Sequence, residues 1–406
     1  MYQILDGLRV IEGSAFVAAP SGGMTLAQLG ADVIRFDAIG GGIDHKRWPL
    51  SAGGDSIYWA SLNKGKKSVA VDLRSDEGRE LLTAMIATPG PEGGIFLSNF
   101  PARGWMSYDN LREHRDDLIM VNLTGNRDGS TALDYTVNCA VGYPDATGPV
   151  GSSEPINHVL PAWDLVAGQQ AALGVLAAER HRGRTGDGQL VSLSLADIAL
   201  MAVSNLGHIA EVQINDEQRP RYGNDLYGAY GHDFATLDGR RVMVVGITSR
   251  QWSSLLACTQ TEASVAQLAA DRKLDFSVEG DRFAARDDIT ALLEPWFATH
   301  TLSEATASLD EHGVCWGPYQ TFQQLVAEDL RCSPENPMFE TVEHPQLGEF
   351  LMNGSTLDFS ALDRVPVGRA PLLGEHTDQV LAELLGLTDA EIGGLHDRGV
   401  VAGKDG

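Results

Sequence analysis

Short runs of branched and aromatic residues alternate along the first two hundred positions with stretches whose apolar residues recur every three or four places. That alternation predicts a parallel sheet covered by helices. Strands are expected over 8–12, 32–37, 68–73, 94–99, 118–123 and 189–195. Between the first two, Met24, Leu26 and Leu29 have helical spacing, and Gly30 stops the helix. Ser75, followed by Asp76 and Glu77, has the form of a helix cap with an acidic first turn. An Ala/Leu-rich run ending near Arg180-His181-Arg182-Gly183 predicts one long helix, with Asp164 near its start.

Around 213–223 the pattern changes to the polar linker Asn215-Asp216-Glu217-Gln218-Arg219-Pro220-Arg221. A smaller α+β unit follows, with a hairpin turning at Asp238-Gly239 and helices near 251–258, 288–297 and 303–312. Extended segments and a last helix near 378–385 complete the chain. The resulting division is a doubly wound large domain over 1–215, a small domain over 216–336, and a segment over 337–406 that returns to the large domain.

Composition narrows the function. The 406 residues carry 55 acidic against 30 basic side chains, a net charge of −25, which argues against nucleic acid or an anionic membrane as partner. The four cysteines, Cys139, Cys258, Cys315 and Cys332, have neither metal-ligand nor disulfide-framework spacing, so no metal is expected and a reducing cytoplasm fits. No export signal or membrane-spanning stretch is expected. The first βα connection, residues 13–23, lacks dinucleotide-fingerprint spacing, and neither a P-loop nor a nucleophile-elbow serine is present.

Against this acidic background, basic clusters become anion-binding candidates. Asn63-Lys64-Gly65-Lys66-Lys67 precedes the third strand, Arg74 and Arg103 follow the third and fourth, and His45-Lys46-Arg47-Trp48 follows a triple glycine. Asp164 alone reads first as a helix N-cap. His158 reads as a base or as a hydrogen-bonded structural histidine, and Tyr135 and Asn138 as pocket wall or packing.

Longer stretches carry a resemblance. Residues 5–12 (LDGLRVIE), 26–37 (LAQLGADVIRFD), 63–68 (NKGKKS), Asn99-Phe100 and 178–189 (AERHRGRTGDGQ) resemble, in order and spacing, the class III CoA-transferases. The resemblance implies a Rossmann-like large domain, a smaller α+β domain and an interlocked ring dimer in which each chain threads the other. It places the acyl-accepting aspartate at Asp164 and CoA contacts at Val17, Ala18, Val71, Arg74, Asn99, Phe100 and Arg103. Phe16, Tyr135, Asn138 and His158 become candidates for the substrate pocket. Ala38 and Leu133 stand where relatives carry basic residues, leaving Arg35, Lys46, Arg47 or Arg127 as substitutes. The family's glycine-rich covering loop is missing, and residues 222–231 are the candidate replacement. Further likeness at 12–20, 99–105, 157–164 and 226–231 is to the branch that moves CoA within one small dicarboxylic acid. The implied ligand is therefore the CoA thioester of such an acid, with no cofactor beyond its CoA moiety. A transferase using a separate acid as acceptor is the alternative.

Overall fold

The computed structural model describes Met1–Lys404. Two compact units emerge: one from residues 1–141, 158–215 and 330–406, the other from 142–157 and 216–329.

The first unit starts with β1 (Arg9–Gly13), α1 (Ala18–Gln28), β2 (Asp32–Ala38), α2 (Ile57–Leu62), β3 (Lys67–Val71) and α3 (Asp76–Ile86). β4 (Ile95–Ser98), α4 (Tyr108–Arg112), β5 (Ile119–Thr124) and α5 (Asp134–Ala140) follow. After α6 (Tyr143–Ala146), which belongs to the other unit, come α7 (Ala162–Thr185), β6 (Gln189–Ser194), α8 (Leu195–Asn205) and α9 (His208–Asn215). All six expected strands form, and they run parallel in the order β3-β2-β1-β4-β5-β6. The chain builds outward from β1 and then returns to β4 on β1's other side, so the topological switch point lies between β1 and β4.

The central strands are nearly continuous apolar runs because helices cover both faces. One face joins Ile34, Phe36, Val69, Val71 and Phe96 to Leu82 and Met85 of α3 and to Val380, Leu381, Ile392 and Leu395 near the C-terminus. On α1 and α7, small residues allow the helices to approach closely. A Cβ on Gly168 would lie 2.0 Å from Ser21 Oγ and 2.8 Å from the Ala18 carbonyl, and one on Gly22 would lie 2.9 Å from the Gly168 carbonyl.

The C-terminal segment adds a two-residue strand, Val401–Ala402, antiparallel to β3. Thr377 Oγ1 ties this edge together, accepting from Ala70 N and donating to the Ala402 carbonyl. So short a strand has no readable periodicity.

The second unit contains a three-stranded antiparallel sheet, residues 230–235, 241–246 and 315–318, with helices packed around Tyr230, Phe234, Trp252 and Phe297. It also takes in residues 142–157, which the sequence reading kept in the large domain. The buried Arg221 explains this, since its guanidinium donates to the carbonyls of Asp145, Ser152 and Glu154. Among the described residues no single helix is long and apolar enough to cross a membrane.

Candidate active site

At the switch point, the loop after β1 is held from two sides. Asn99, just beyond β4, accepts from Ala15 N at 2.9 Å and donates to the Ala15 carbonyl at 2.7 Å. The next residue, Phe16, has φ of 66°, a left-handed conformation that costs a residue with a Cβ about 1 kcal/mol or more. Its N–H donates to Asp44 Oδ2 at 3.0 Å, which helps retain that conformation.

Asp44 ends a buried chain of charges. Arg35 donates to both Asp44 oxygens (3.0 and 3.1 Å), to Asp37 (2.9 and 3.0 Å) and to Asn63 (3.1 Å). Asn63 also accepts from Lys66, whose ammonium reaches Glu12 at 2.8 Å and the Pro20 carbonyl. Burial lowers Lys66 to about 8, while Glu12 favours its charged form. Glu12 fits because Gly23 leaves space, where a Cβ would lie 1.7 Å from Glu12 Oε2.

Over this network the Arg47 guanidinium lies 5.3 Å from the Phe16 ring centre and 5.4 Å from that of Tyr58. Burial raises the Tyr58 phenol to about 12; the Arg47 cation works against that shift, and the charges of Asp44 and Asp164 add to it. Tyr58 therefore lies within the field of Asp164.

Asp164 is not the N-cap of α7. The helix starts at Ala162 after Pro161, which makes Asp164 its third residue. The cap comes from Asp134, on α5, whose Oδ2 accepts from Trp163 N at 2.7 Å and from Asp164 N at 3.0 Å. One turn along α5, Asn138 accepts from Trp163 Nε1 at 3.2 Å and fixes the neighbouring indole. With Asp134 supplying the cap, the Asp164 side chain is free of that task. Burial, and then the charge of Asp134, raises Asp164 to about 7.

The remaining candidates are spread around these elements. Tyr135 donates to the Val159 carbonyl at 3.2 Å, and half-buried His158 has an enclosed Nδ1 with no hydrogen-bond partner. Val17 and Ala18 open α1, which carries no side-chain cap. Phe100 is half-buried, edge-on to Phe36, while Arg74 and Arg103 are exposed. Val71 is fully buried in the core, and Val17 and Ala18 are also buried, at 7% and 5% exposed. A groove of ≈ 670 Å³ beside Arg79, Gly104, Trp105 and His114 contains none of the candidate residues.

Several basic candidates have structural partners instead. Lys66 is buried against Glu12, Lys64 donates to Asn353, and Lys67 pairs with Asp32. Arg35 cannot replace a CoA-contacting base, since it is fully buried between two aspartates, and Arg127 pairs with Asp197. Arg47 does reach Phe16. Asp134, Asp44 and Tyr58 went unread, because each acts on a partner far along the chain and leaves no local spacing. The only cue for Asp134 was an acidic residue opening a short helix.

Residues 5–377 match the model of CoA-transferase family III. The chain belongs to that family. Among its family relatives, the 2-methylfumaryl-CoA isomerase of Chloroflexus aurantiacus is 59% identical over 100% of this chain and 99% of that protein. The succinyl-CoA:mesaconate CoA-transferase of Haloarcula hispanica is 30% identical over 93% of this chain and 96% of its own length. A solved CAIB/BAIF family protein from Brucella suis has a TM-score of 0.77 at 25% identity, covering 95% of this chain and 100% of that one. The doubly wound α/β reading and the enzyme class both hold.

Proposed function

We propose that this enzyme moves CoA between the two carboxyls of mesaconate, converting 2-methylfumaryl-CoA to 3-methylfumaryl-CoA. The observation carrying this reading is the 59% identity, over the whole chain, to a 2-methylfumaryl-CoA isomerase. The placement of Asp164 supports the chemistry.

In the proposed cycle an Asp164 oxygen attacks the C1 thioester carbon, the C–S bond breaks, and CoA leaves as thiolate with the electron pair. The thiolate then attacks the aspartyl carbonyl of the mixed anhydride. This breaks its bond to the bridging oxygen, frees mesaconate as a dicarboxylate and leaves an Asp164–CoA thioester. The C4 carboxylate attacks that thioester and expels thiolate, and thiolate attack at C4 regenerates the Asp164 carboxylate. Only ionised Asp164 can start the cycle, so a value near 7 leaves a substantial nucleophilic fraction at neutral pH. The cycle uses no group beyond the chain and the CoA moiety.

The N–H groups at the start of α7 are poor candidates for stabilising the tetrahedral oxyanions. Those of Trp163 and Asp164 donate to Asp134, and that of Leu165 to Pro161. CoA contacts are proposed at the start of α1, where the buried Val17 and Ala18 have no side-chain cap, and at Asn99, Phe100, Arg74 and Arg103 along the same sheet edge. An interlocked homodimer belongs to the same reading. It is supported by exposed Leu206, Val212 and Ile214 around α9, which a second copy would cover.

Incubation of 2-methylfumaryl-CoA with labelled free mesaconate tests the intramolecular route. Product without label is expected. Substantial label in the product would instead favour transfer to an external acid, the activity named for the Haloarcula relative.

A further inference from the structure

Asp134 stands outside the cycle just described, yet it touches the backbone of Asp164 and is 3% exposed. Its Oδ2 is committed to two backbone N–H groups, and its enclosed Oδ1 has no hydrogen-bond partner. From there its charge acts on Asp164 at the start of α7. A neutral acceptor would cap the helix as well. The carboxylate adds repulsion toward a second carboxylate at the third residue of the helix.

We propose that Asp134 is a positioning residue that caps α7 and biases Asp164 toward its acylated forms. This rests on the reading of Asp164 as nucleophile. Free Asp164 carries its charge in the field of Asp134. In the thioester state that charge has moved with the electron pair to the freed carboxylate of the substrate, and the residue against Asp134 is neutral. Relief of repulsion then favours the covalent state. Burial contributes in the same direction and more strongly, with Asp134 second. Asp134 on α5 and Tyr58 on α2, beneath Arg47, interact electrostatically with Asp164, and His158 lies in the segment of sequence leading into α7.

The test is Asp134→Asn in the full chain, since the amide oxygen can still accept from Trp163 N and Asp164 N. Two quantities are read: the acid limb of kcat/KM against pH, and the fraction of Asp164–CoA thioester trapped with hydroxylamine during turnover and located by peptide mass spectrometry. The limb is expected to move down by about one pH unit and the trapped fraction to fall about tenfold. A purely structural cap would move neither. If the wild type traps the adduct and the variant does so equally with an unmoved limb, this inference is overturned while the nucleophile reading stands. If the wild type traps none at Asp164, the nucleophile reading fails and this inference with it. Should the Asn variant not fold, Asp134→Ser keeps an uncharged acceptor and is judged by the same two readouts.

Discussion

Replacing Asp164 with Asn should stabilise the protein while abolishing its activity, and the gain should depend on pH. The carboxyl is raised from 3.8 to about 7 by burial and by Asp134. Between those values the folded state holds a proton that the unfolded state has released, so this group's contribution to stability falls as pH rises. A shift of that size bounds the effect at about 4 kcal/mol, and solvent screening of the partly exposed side chain reduces the expected figure to about 2 kcal/mol. Asn removes the charged form and therefore removes the penalty.

Urea unfolding of wild type and Asp164→Asn across about pH 4 to pH 8.5 measures the difference. The variant's advantage should be smallest near pH 4, grow toward pH 7 and level off above it, reaching about 2 kcal/mol. A difference that stays constant with pH would refute the assignment of a raised carboxyl to Asp164. Activity should run the other way, with kcat/KM of the wild type rising through about pH 7 as the proposed nucleophile ionises.

Other perturbations test the supports of the site. Lys66→Met leaves Glu12 buried without its cation and should cost about 3–5 kcal/mol in denaturant unfolding. Gly168→Ala drives a methyl into Ser21 and the Ala18 carbonyl, so α1 and α7 must separate; a loss of about 1–3 kcal/mol is expected, together with reduced activity. Asn99→Ala removes both clamps on Ala15 and should raise KM for the CoA ester severalfold, read in steady-state kinetics.

The doubly wound sheet was legible because its central strands are mostly buried and rich in apolar residues. The small domain's hairpin was legible because Asp238-Gly239 marks its turn. Residues 142–157 were misplaced because Arg221 binds their carbonyls from over sixty positions away, and carbonyls have no sequence signature. The lysine turn at 64–67 misled for a related reason. Surface and buried lysines look alike in sequence, and only the opposing Glu12, Asn353 and Asp32 distinguish them.

The correction at Asp164 bears most directly on function. A carboxylate acting as N-cap has an oxygen committed to backbone N–H groups, and approach to a thioester carbon would require breaking those bonds. By taking the cap from α5, the fold separates two tasks that a local reading gives to one residue. The same arrangement fills the N–H groups that an oxyanion hole at α7 would need, which leaves that role to another element. It also places a second negative charge beside the proposed nucleophile, at a cost to stability. Raising the free carboxylate in energy makes Asp164 more basic and its proposed neutral acyl forms relatively lower, and the proposed covalent relay depends on both. The destabilising charge and the proposed catalytic advantage therefore have one physical origin, and removing the charge should relinquish both together.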